Sequence, residues 1–225
     1  MYIARYLIIA AFVFVPLLMS AKAPVTANNQ PLPKPHRIIR TCCSFGTEMQ
    51  MVAIPGVKLT ETTSIERIGE HHYLGDPSEE NGILYSRRGG FIDMGHLRDQ
   101  SDWTAFLYTQ LSANQPNGEL SMILGREGGE KNLKVDLPAN LTEQDLVRLA
   151  GKIAYDLSVW HEIATWFGAS TIPFVPERYS SFSIEDAYSN LLRVTFGMQA
   201  VQSERPFEKA VTQRIDEYLK RLDAV

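Results

Sequence analysis

One histidine in this chain stands where a histidine is least expected. In the stretch Thr142 to Phe167, helical spacing puts Leu146, Ala150, Ile153, Leu157, His161 and Ala164 on one apolar face. Ser158 and Thr165 fall roughly 40–60° to one side of His161, and Glu162 falls roughly 100° round. An imidazole in an apolar stripe, beside a carboxylate and two hydroxyls, is a candidate site. The string His161-Glu162-Ile163-Ala164-Thr165 is one residue short of HExxH, in which two histidines a turn apart bind zinc and the glutamate activates water. Thr165 takes the second histidine's place, so further ligands must come from elsewhere in the fold.

His96 is the best supplier, in Asp93-Met94-Gly95-His96-Leu97-Arg98-Asp99, which the sequence places in a glycine-flanked turn after a strand. The expected site has His96, His161 and Asp99 on a divalent ion such as zinc. Glu162 acts as general base on its water, and Arg98 steadies developing negative charge. Two plainer readings stand beside it. His161 can be a buried structural histidine held by a carboxylate or hydroxyl, or an acid–base group without metal. Arg98 can pair with Asp99 or Asp93 and simply tie the loop.

Other polar groups carry weaker signals. His71-His72 offers one further ligand, and Arg87-Arg88 a cationic pair for an anionic substrate, though arginines facing solvent are commoner. Glu185, Asp186 and Asn190 open a helix, where acids chiefly cap, although Asp186 and Asn190 lie one turn apart and can face a pocket. The adjacent Cys42 and Cys43 bridge each other only in a strained ring, and no third cysteine exists. They are buried and inert, a redox pair, metal ligands, or a nucleophile at Cys43 with His96 or His161 as base.

The elements that must hold these residues can be traced. Thr142 and Asp145 have capping-box spacing, and Gly168 is a natural stop for the helix that carries His161. A second helix is expected over Ser101–Ser112, a third from Ser183, and a fourth over Pro206–Leu222, with Val211, Ile215, Tyr218, Leu219 and Leu222 packed inward. Short strands are expected at Met49–Ile54, Ile83–Ser86 and Phe91–Met94. Glu119–Leu124 and Leu133–Leu137 read as a hairpin. Its glycine-rich loop, Gly125–Lys131, lacks the order of a phosphate cradle and is a turn. The fold class is α+β, a single helix-rich domain with a small antiparallel sheet.

That domain follows an N-terminal leader. Arg5 precedes an apolar run from Tyr6 to Met19, followed by small residues at Ala21–Ala23 and Val25–Ala27. This is the layout of a signal peptide over residues 1–27, cleaved after Ala27; an uncleaved anchor is the alternative and the only expected membrane contact. The protein is therefore expected outside the cytoplasm, periplasmic or extracellular. Residues 28–41, with three prolines, form an extended linker or arm, and 42–225 the globular domain. Removing residues 1–27 takes away Arg5 and Lys22 and no acid, so net charge moves from −4 to −6. That sign argues against a nucleic-acid partner.

Four strings resemble a known family: Cys42-Cys43-Ser44-Phe45-Gly46; Gly89 to Asp99 with Asp102 to Tyr108; Tyr155 to Gly168; and Phe182 to Leu192. Together they look like the exported bacterial proteins grouped as domain of unknown function 4056, over Cys42 to about Leu192. The resemblance implies that the blocks around Cys42, His96, His161 and Asp186 belong to one construction, and it implies no catalytic role. Three functions remain in view: a metal-dependent envelope hydrolase, a thiol hydrolase acting on the cell wall, and a non-catalytic envelope protein whose polar cluster only fixes the core. For the first, peptide, peptidoglycan and lipid ester are all admissible substrates.

Overall fold

A computed structural model describes residues 24–25, 31–35, 62–169, 178, 181–182 and 184–225. Residues 1–23 of the leader, Cys42, Cys43 and the expected strand Met49–Ile54 lie outside the described residues, as do the side chains of Glu185 and Asp186. The element order is β1 (Thr62–Thr63), β2 (Ile83–Ser86), β3 (Gly90–Asp93), α1 (Met94–Asn114), β4 (Glu119–Arg126), β5 (Glu130–Asp136), α2 (Glu143–Trp166), α3 (Ile184–Val201) and α4 (Phe207–Arg221). This is an α+β domain dominated by helix. Among the described residues no helix is long and apolar enough to cross a membrane.

The largest departure from the sequence reading is the start of α1. The stretch Gly95–Asp99, expected as a loop, is the first turn of a helix that begins at Met94. Asp93 caps it: its Oδ1 accepts from the backbone N of His96 at 2.8 Å. Ser101, where the sequence reading starts this helix, is interior and donates its hydroxyl to Leu97 O at 3.0 Å. The early turns hide from a periodicity search because α1 is buried on nearly every side. Apolar Met94, Leu97, Phe106, Leu107 and Leu111 and polar His96, Arg98, Asp99, Ser101, Asp102 and Thr104 are all buried.

α1 packs against both α2 and α3, and α3 also touches α2 and α4. Two glycines make these crossings close. A Cβ on Gly197 of α3 would lie 2.7 Å from Thr104 Cβ and 3.1 Å from Ser101 Cα in α1; one on Gly151 of α2 would lie 2.8 Å from Val194 Cγ1 and 2.7 Å from Met198 Sδ. α2 has the expected start. Thr142 Oγ1 accepts from Asp145 N at 3.2 Å while Asp145 Oδ2 accepts from Thr142 N at 3.0 Å, a complete capping box.

Two small sheets stand in place of one. β2 and β3 form an antiparallel hairpin to which β1 adds in parallel, and β4 pairs with β5 antiparallel in a separate ribbon. Residues 222–225 return to β2: Arg88 N donates to Leu222 O, Arg87 N to Asp223 O, and Val225 N to Tyr85 O, each at 3.1 Å. On the opposite flank, residues 31–35 lie along the domain. Leu32 is buried and Tyr73 Oη donates to Pro33 O at 2.6 Å.

A buried ionic network anchors the loop before β2 to α1. Arg98 is wholly buried and donates from Nη1 to Glu79 O (2.9 Å) and from Nη2 to Gly69 O (2.6 Å), with Glu79 Oε2 3.6 Å from Nη1. His71 sits between two carboxylates, Nε2 3.0 Å from Asp102 Oδ1 and Nδ1 3.6 Å from Glu79 Oε1. The same acids accept backbone donors, Leu74 N on Asp102 and His72 N on Glu79. Two potential cations face two anions here, and loop amides take up further oxygen lone pairs, as burial of charge requires.

Candidate functional site

His96, expected in a turn, comes instead from α1, and α1 and α2 bring it beside His161. The two imidazoles stand nearly perpendicular, 82° between planes, with centroids 5.7 Å apart. They line a cavity of about 340 Å³ together with Asp99 of α1, Ser158 and Glu162 of α2, Asn190 of α3, and Glu127 and Lys131 of the β4–β5 ribbon. Trp103, Leu124, Leu157 and Pro35 supply its apolar surface. His96 and Asp99 share the cavity because three residues separate them on a helix; His161 and Ser158 share it for the same reason.

Arg98 does not join them. It projects into the buried network described above, against Glu79 and Gly69 O, and is not a lining residue. Its guanidinium has Glu79 Oε2 3.6 Å from Nη1. Glu162 lines the cavity and is buried, and its Oε2 accepts the backbone N–H of Phe182 at 2.7 Å, so one of its oxygens is already engaged. His71 belongs to the structural network, and Arg87 reaches Asp223 on the surface at 3.1 Å.

The residue that sequence reasoning missed is Glu127. It sits at the tip of the ribbon, and its Oε1 lies 2.7 Å from His161 Nδ1. Besides that contact, two others dock this tip onto α2: Trp160 Nε1 donates to Glu127 O at 2.8 Å, and Gly128 closes over Ala164. Within the ribbon, Lys131 Nζ donates to Glu127 Oε2 at 2.9 Å. Gly128 has φ +63° and a Cβ there would stand 3.1 Å from Ala164 Cβ, so glycine meets both the turn and the close approach. The only signal in the sequence was an acid followed by two glycines, which by itself reads as a turn.

Electrostatics fix the state of this pair. Burial raises the pKa of Glu127, but the hydrogen bond and charge of His161, with Lys131 adding to both, outweigh it and bring the carboxyl down to about 2. Glu127 is ionised at neutral pH and only accepts. His161 Nδ1 must then carry the proton it shares, which leaves Nε2 with a lone pair when the ring is neutral. For His96 the nearby carboxylate is Asp93, whose Oδ2 is 3.9 Å from Nδ1, beyond hydrogen-bond length. An imidazole oriented by a carboxylate is the arrangement of a general base, and equally of a histidine prepared for a metal. Among the described residues no group of three or more His, Cys, Asp or Glu side chains is gathered closely enough to hold an ion.

No curated protein and no solved structure matches the chain. The sequence model of the family described as "Protein of unknown function (DUF4056)" matches residues 29–225, and the chain belongs to that family.

Proposed function

We propose that this member of the DUF4056 family is a hydrolase of the cell envelope, with His161 as general base and Glu127 as the group that orients it. The observation that carries this reading is the 2.7 Å contact between an ionised, buried Glu127 and His161 Nδ1 on the wall of a cavity. A water on His161 Nε2 gives its proton to that nitrogen as its oxygen bonds to the carbonyl carbon of an ester or amide. The proton then passes to the leaving oxygen or nitrogen as the old bond breaks. His96, edge-on to His161, is placed to share that delivery. The placement in the envelope rests on the leader-like N-terminus, and peptide, peptidoglycan and lipid ester are the substrates in view.

The test is turnover of chromogenic esters, fluorogenic peptides and dye-labelled peptidoglycan by the full chain. His161→Ala is expected to remove about 10²–10⁴ of any rate found, the usual contribution of a general base. Turnover that survives His161→Ala undiminished overturns the assignment.

A second reading has its own observation. The His71–Glu79–Arg98–Asp102 network is a charged cluster that this fold buries away from the cavity lining. On that precedent the Glu127–His161 pair serves stability in a non-catalytic envelope protein. Inactivity against all three substrate classes, together with destabilisation by His161→Ala, favours this reading. The thiol alternative rests on Cys43, outside the described residues. Selective alkylation of that residue at neutral pH tests it.

A further inference from the structure

We infer that His96 and His161 together bind a divalent transition-metal ion of the zinc class through their Nε2 atoms. This rests on the hydrolase reading and reassigns one role in it: an Nε2 lone pair that holds an ion cannot also take water's proton, so with metal bound the base is Glu162 of the same cavity. Metal–nitrogen bonds of about 2.1 Å put each ring centroid about 3.2 Å from an ion, so two imidazoles on one tetrahedral ion have centroids about 5–6 Å apart. The observed separation is 5.7 Å, between rings supplied by two different helices. His161 carries the backing that metal-binding histidines almost always have, a carboxylate on the far nitrogen, with Glu127 Oε1 2.7 Å from its Nδ1. Ordinary edge-to-face packing of two rings requires no such carboxylate.

The remaining positions around such an ion fall to Asp99, to Glu162 or to water. Asp99 lies one turn along α1 from His96, and both acids line the same 340 Å³ cavity. Neither is gathered with the histidines closely enough to count as a third ligand. The site is thus a two-imidazole centre, completed by water or by a carboxylate that turns inward. Mixed imidazole and oxygen donors suit zinc and its divalent neighbours better than calcium or magnesium.

The experiment uses the tag-free full chain, stripped with chelator and then dialysed against micromolar zinc. Bound metal is counted by elemental mass spectrometry, and cobalt(II) absorption reports coordination geometry. Wild type is expected to hold about one ion per chain, and His96→Ala and His161→Ala each less than a tenth of that. Glu127→Gln is expected to bind 10- to 100-fold more weakly, because the backing carboxylate is lost while the ligands remain. If the alanine variants fail to fold, the Glu127→Gln shift and the cobalt spectrum of wild type carry the test. A wild type that takes up no zinc, or one whose zinc is indifferent to both histidines, overturns the inference. Hydrolysis by a metal-free wild type also overturns it as a cofactor claim and leaves the base reading standing. Stoichiometric zinc with no hydrolysis leaves this inference standing and removes the hydrolase.

Discussion

Neutralising Glu127 tests the central pair through stability alone, with no substrate required. Its carboxyl lies at about 2 in the folded protein against an ordinary 4.5. A shift of that size corresponds to about 3 kcal/mol of preference for the ionised form when folded. A depressed folded value means that this stabilisation is complete above the unfolded pKa, near 4.5, and is lost as pH falls toward 2. Glu127→Gln keeps the shape of the side chain and removes the charge. Urea unfolding in the presence of chelator should therefore show wild type ahead of the variant by about 2–3 kcal/mol at pH 7. The gap should hold down to about pH 5 and narrow steadily between pH 4.5 and 2.5. Because the acid is buried, moderate salt should change the gap little. Parallel stability curves for the two proteins over pH 6 to 3 would refute the electrostatic argument, whatever the enzyme assays say.

Two further predictions concern the frame that holds the site. Gly197→Ala puts a methyl 2.7 Å from Thr104 Cβ and 3.1 Å from the Ser101 backbone, so α1 and α3 must part. This should cost about 1–3 kcal/mol and lower the melting temperature by several degrees; an unchanged melting temperature would mean the helices are not in this contact. Asp102→Ala strips His71 and the Leu74 amide of their acceptor inside the ionic network, for an expected loss of about 3–5 kcal/mol in urea unfolding and faster hydrogen exchange at Leu74. A loss below about 1 kcal/mol would show that the network is not closed as described.

What could be read beforehand followed from local chemistry. Thr142 and Asp145 announce the start of α2 because a capping box is a short-range motif, and His161 drew notice because its place in an apolar stripe is a property of one helix. The beginning of α1 could not be found this way. Its first turns bury His96, Arg98 and Asp99 among apolar residues, so no polar face marks a helix and Gly95 suggests a loop. Arg98 stands near Asp93 and Asp99 in the sequence, and no local signal shows that it also reaches Glu79, 19 residues back. Glu127 was out of reach altogether. It meets His161 across 34 residues, through a docked hairpin whose glycines say only that the chain turns. The histidines of the site were legible, and the carboxylate that orients one of them was not.

The return of residues 222–225 to β2 bears on the order in which the protein can be built. Arg87 and Asp223 are joined by backbone and side chain across 136 residues. A chain emerging from the ribosome N-terminus first has its β2–β3 hairpin long before it has the segment that covers it. Until residues 222–225 are made, Tyr85 O and the amides of Arg87 and Arg88 present open pairing positions. That late closure makes residues 222–225 sensitive to change, since they supply the backbone partners of Tyr85, Arg87 and Arg88.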